Sequence, residues 1–63
     1  MDIITKIENA IARSFNFKFE GAIFVEATDI NNSKCKVYDM NYTTFNKKLV
    51  GIYYNDADVF FKL

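Results

Sequence analysis

The chain contains no histidine, no proline and no tryptophan, and only one cysteine and two glycines in 63 residues. Each shortage removes a class of chemistry. Without His, the Ser-His and Cys-His nucleophiles lose their usual base, and the common zinc ligand sets cannot be assembled. A lone Cys35 cannot close an internal disulfide, so the staple on which many very small folds depend is missing. Gly21 and Gly51 are isolated, each inside a strand-like stretch, so no glycine-rich phosphate loop is present. An isolated strand glycine instead marks a bulge, or a place where a neighbouring side chain crosses the backbone.

Charge of one sign is also lacking, since eight basic and eight acidic side chains leave a net charge of zero. That balance disfavours a nucleic-acid grip, which needs a basic patch to neutralise phosphates. No apolar run reaches the ~18 residues that span a bilayer. Asp2 stands where a secretory leader would carry positive charge. These features predict a cytoplasmic protein with a reduced thiol, and no membrane, metal or cofactor.

What the chain does have is apolar bulk: 51% of residues are hydrophobic and 17% aromatic. In residues 2–15, Ile4, Ile7, Ile11 and Phe15 recur at three- and four-residue spacing, with Ile3 and Ala10 beside them. This is the stripe of an amphipathic helix. Asp2 is positioned to cap its first turn, and Asn16 to end it.

From Phe17 the period becomes two. Phe17, Phe19, Ile23 and Val25 alternate with Lys18, Glu20, Phe24 and Glu26, which predicts a strand buried on its odd side. Asn31-Asn32-Ser33 supplies a turn, and Lys34 to Tyr42 returns as the second strand. A three-residue loop would set Asp39 beside Val25 in the core, where an unpaired carboxylate is costly. A four-residue loop would set Glu26 against Asp39. A two-residue loop is therefore preferred, with Tyr38 and Met40 facing inward beside Ile23 and Val25. After a basic loop around Asn46-Lys47-Lys48, Leu49 to Tyr54 and Val59 to Leu63 form a second hairpin around Asn55 to Asp58. It pairs Tyr54 with Val59, Ile52 with Phe61 and Val50 with Leu63. An odd-length loop after Tyr42 aligns Met40 with Val50 and Tyr38 with Ile52.

The expected architecture is α+β and a single domain over residues 1–63. Its N-terminal helix packs across one face of a four-stranded antiparallel β-meander, in the order α-β-β-β-β, with Tyr38, Met40, Ile52 and Phe61 on the covered side. Rows reading Glu26, Val37, Tyr53, Phe60 and Phe24, Asp39, Gly51, Lys62 then fall on the face away from the helix. Phe24, Val37, Leu49, Tyr53 and Phe60 would make an aromatic patch with a charged rim, which is the composition of an interface core.

Catalysis finds little footing. Cys35 lies between Lys34 and Lys36 but has no base, and Asp56 and Asp58 sit together in a turn too short for a calcium loop. The sequence therefore predicts a non-enzymatic protein that binds another protein, with Phe24, Glu26, Val37, Asp39, Tyr53, Phe60, Lys47 and Lys48 as contact residues. It would act stoichiometrically, as an inhibitor or adaptor that occludes a larger partner. A homodimer, or a sheet that stacks single-stranded nucleic acid on Phe24, Tyr53 and Phe60, are the alternatives. In size, residue usage and lack of catalytic groups the chain resembles many phage-encoded inhibitors of host systems, including anti-CRISPR proteins; the likeness is one of composition.

Overall fold

Asp2 sets the first turn. In the computed structural model, which describes residues 2–14 and 18–63, the Thr5 amide donates to Asp2 Oδ1 at 2.8 Å. That bond satisfies one of the amides a helix leaves open at its start. Helix α1 then runs Ile3–Ser14. Ile7, Ala10 and Ile11 are buried and Ile3 packs beside them. Ile4, expected inside, stands at the margin of the stripe and is exposed. The expected contributions of Phe15, Asn16 and Phe17 lie outside the described residues.

Four strands follow: β1 (Ala22–Ala27), β2 (Lys34–Met40), β3 (Lys47–Tyr54) and β4 (Val59–Lys62). They form one open antiparallel sheet in sequence order, β1-β2-β3-β4. The helix-plus-meander architecture is the one the periodicities predict. The last hairpin also keeps its expected register, with Tyr54 opposite Val59 and Ile52 opposite Phe61. No helix among the described residues is long and apolar enough to cross a membrane.

The other two registers differ from expectation. Val25 pairs with Val37, Ala27 with Cys35 and Ile23 with Asp39, so the first connection is not a two-residue turn but spans residues 29–33. Asp29 organises it. Its carboxylate accepts from the Ser33 amide at 3.0 Å and from the Ser33 hydroxyl, and Thr28 N–H closes onto the Lys34 carbonyl at 3.0 Å. Asn32 takes the left-handed conformation at φ 55°, a role that suits Asn. Across β2 and β3, Cys35 pairs with Tyr53 and Val37 with Gly51, after which the ladder slips so that Tyr38 faces Leu49 and Met40 faces Lys47. Val50 is the extra residue of this bulge. The expected pairs Met40–Val50 and Tyr38–Ile52 do not form.

These registers turn β2, β3 and β4 over, while β1 keeps its odd side inward as expected. Ile7, Ala10 and Ile11 of α1 pack with Cys35, Val37, Tyr53 and Phe60, and with the partly buried Ile23 and Val25 of β1. Tyr38, Met40, Ile52 and Phe61, expected beneath the helix, lie on the opposite face. Asp39 explains the choice. It stands on the covered side, but its two carboxylate oxygens accept from the Glu20 and Gly21 amides, each at 2.9 Å. The carboxylate is thus satisfied where the sequence reading assumed an unpaired charge, and the penalty against this register is removed.

Polar contacts tie α1 to the β3–β4 turn. Lys6 Nζ donates to Asn55 Oδ1, and Arg13 pairs with Asp58 at 2.8 Å. The Tyr53 hydroxyl donates to the other Asp58 oxygen at 2.5 Å. The Tyr53 bond, then Arg13, hold the Asp58 carboxyl below its ordinary 3.8. Burial, then Asp58, push the Tyr53 phenol up to about 12 from 10.0. The signs fix a pH profile. A depressed carboxyl stabilises the fold above 3.8 and loses that contribution as pH falls toward its folded value. A raised phenol stabilises below 10.0 and loses its contribution as pH climbs from there toward about 12. Urea midpoints measured against pH are therefore expected to fall on both sides. Asp58→Asn is expected to flatten the acid limb, and an unaltered acid limb in that variant would contradict the linkage.

Candidate partner-binding face

The helix covers one side of the sheet and leaves the other open. Alternation along the strands places Phe24 and Glu26 of β1, Lys34, Lys36, Tyr38 and Met40 of β2, Lys47, Leu49, Ile52 and Tyr54 of β3, and Val59 and Phe61 of β4 on the open side. Side-chain contacts agree. The Phe24 and Tyr38 rings meet edge to face at 6.0 Å, as do Tyr54 and Phe61 at 5.3 Å. The Lys47 ammonium sits over both members of the first pair, 4.8 Å from the Phe24 centroid and 4.5 Å from that of Tyr38. Lys34 sits 5.7 Å over Tyr54.

Glu26 completes the Phe24 corner. It lies 3.7 Å from Lys47 Nζ and accepts from the Tyr38 hydroxyl at 3.4 Å. Both groups of the ion pair are substantially exposed, so the pair orients Lys47 more than it stabilises the fold. Such cation–π and aromatic contacts hold large side chains in fixed orientation on a solvated surface. An ordered surface loses less entropy when a partner covers it.

Of the contact residues predicted from sequence, Phe24, Glu26 and Lys47 come together on this face. Val37, Tyr53 and Phe60 do not: they are 0%, 0% and 4% exposed and form the core beneath α1, because the register turns them toward the helix. Asp39 caps the approach to β1. Lys48 stands opposite it on β3, where both line a shallow cleft of about 280 Å³ with Glu20, Gly21, Asn41, Tyr42 and Thr43. Sequence reasoning placed Leu49 on this face, as found, and missed Tyr38, Tyr54 and Phe61 as surface residues. A signal for them was present: in Lys34-Cys35-Lys36-Val37 the lysines occupy even positions, which marks the even side of β2 as solvated.

Cys35 offers no reactive thiol. It is fully buried, its Sγ points at the Asn32 carbonyl at 3.6 Å, and burial, then Asp29, push its pKa above 9.0. A raised pKa keeps the thiol protonated and poorly nucleophilic.

Compared with protein-family profiles, curated proteins and solved structures, the chain matches none of them.

Proposed function

We propose that the protein is a non-catalytic binding protein that docks a larger protein through its open sheet face. The observation that carries this reading is the one-sided sheet. A helix shields one face, while the other presents apolar and aromatic side chains set among Lys34, Lys36, Lys47 and Glu26, with Phe61 at 56% exposure and Leu49 and Val59 above a third. Contiguous apolar surface of this kind on a small chain marks an interaction site. Its Tyr and Phe anchors are residue types enriched at interface centres, and the lysines around them suit a polar rim.

The absence of His and the buried, protonated Cys35 support a non-enzymatic role, acting by occupancy of the partner. A cytoplasmic setting suits a free thiol. The compositional likeness to phage-encoded inhibitors favours occlusion of a host target over an adaptor role. Tyr54→Asp and Phe61→Asp test the reading, because each places a charge on the open face without touching the core. Affinity capture from the source cells, compared between wild type and variants of equal helicity, is expected to lose its partner. Centrally placed aromatic anchors of an interface commonly contribute 2 kcal/mol or more, about 30-fold in affinity. Undiminished capture by both variants would contradict it.

A further inference from the structure

The charge of the open face narrows the chemistry of its partner, and this inference rests on the docking reading above. Its strands carry three lysines, Lys34, Lys36 and Lys47, against one acid, Glu26, a local balance of +2 (3 − 1) in a chain whose total is zero. Acids that could have offset them are engaged elsewhere: Asp39 on the Glu20 and Gly21 amides and Asp58 on Arg13 and Tyr53.

We propose that the open face binds an acidic amphipathic protein segment, an apolar strip flanked by Asp and Glu. The apolar strip would cover the aromatic surface, and its carboxylates would meet lysines already held over the rings. Two other occupants fit less well. A second copy would set +2 against +2 across a two-fold contact, where the same patch faces itself. Single-stranded nucleic acid needs free ring faces on which bases stack, whereas Lys47 occupies those of Phe24 and Tyr38, and Lys34 that of Tyr54.

The test is an NMR titration of the isotope-labelled full chain with three probes: an amphipathic peptide of Leu and Glu, its counterpart with Lys in place of Glu, and oligothymidylate. The expected result is shifts confined to the open face, with the Glu peptide binding at least about tenfold more tightly than the Lys peptide. Its affinity should fall as salt is raised. A Lys34→Glu/Lys36→Glu/Lys47→Glu variant with an unchanged circular dichroism spectrum should reverse the order. Equal binding of both peptides at this face would overturn the acidic preference while leaving the docking reading intact. No shift with either peptide would overturn both. Shifts of the open face with oligothymidylate, or on raising the concentration of the chain alone, would overturn the proposal in favour of nucleic acid or of a second copy.

Discussion

A Gly51→Val variant is expected to be unfolded in plain buffer, showing the circular dichroism of a disordered chain and no urea transition. Gly51 lies at the centre of the covered face, paired with Val37 on one side and Lys62 on the other. A Cβ placed there would fall 2.4 Å from Phe60 Cζ and 2.4 Å from the Phe61 carbonyl oxygen. The Phe60 ring crosses the bare glycine backbone, and the Phe61 carbonyl belongs to the strand alongside. The ring could swing only by leaving the core, and the carbonyl only by breaking the ladder.

Overpacking a well-filled core costs about 1–3 kcal/mol, sometimes more, and a domain of this size holds only about 3–5 kcal/mol in total. Valine adds two methyl groups to the same clash, so the cost reaches the whole of that reserve. Neither glycine has a positive φ, so the requirement at Gly51 is for space and not for backbone freedom. Gly51→Ala should retain a transition, shifted to lower urea. A Gly51→Val chain with wild-type stability would show that Phe60 does not cross this position.

Much of the fold could be read from residue spacing, because its signals are local. The Ile7, Ala10 and Ile11 stripe, the Asp2 cap and the pairing of Tyr54 with Val59 depend on residues close in sequence. The face assignment was harder, since both sides of the later strands are apolar. Tyr53 sits between Ile52 and Tyr54, and Phe60 is followed by Phe61, so alternation yields two faces without saying which the helix takes.

Asp39, as an unpaired carboxylate, would favour the opposite face of β2. Its partners are the backbone amides of Glu20 and Gly21, groups that carry no residue-type signature. The β2–β3 bulge at Val50 left one sign, the isolated Gly51 beside it, which also lies under the Phe60 ring, but a strand glycine does not say which way the register slips. The candidate site inherited the same error. Phe24 and Glu26 were placed on the right surface, Lys47 was expected in a loop and instead opens β3, and Val37, Tyr53 and Phe60 were taken for surface and are core. Lys34 and Lys36, on even positions of β2, marked the solvated side.

Phe60 and Phe61 are neighbours of one residue type on opposite faces, so their separate truncation tests the two-faced sheet on which the stability and binding readings both depend. Phe60 is 4% exposed and packs with Tyr53 beneath α1. Removing such a ring costs about 3–5 kcal/mol, enough to unfold most of the population. Phe61 is 56% exposed, and its edge-to-face contact with Tyr54 is worth about 0.5–1.5 kcal/mol. The deciding measurement is urea unfolding of Phe60→Ala and Phe61→Ala side by side. Loss of the folded baseline in Phe60→Ala, with a near wild-type transition in Phe61→Ala, is the predicted result; the reverse order would place the helix on the other face and contradict the account.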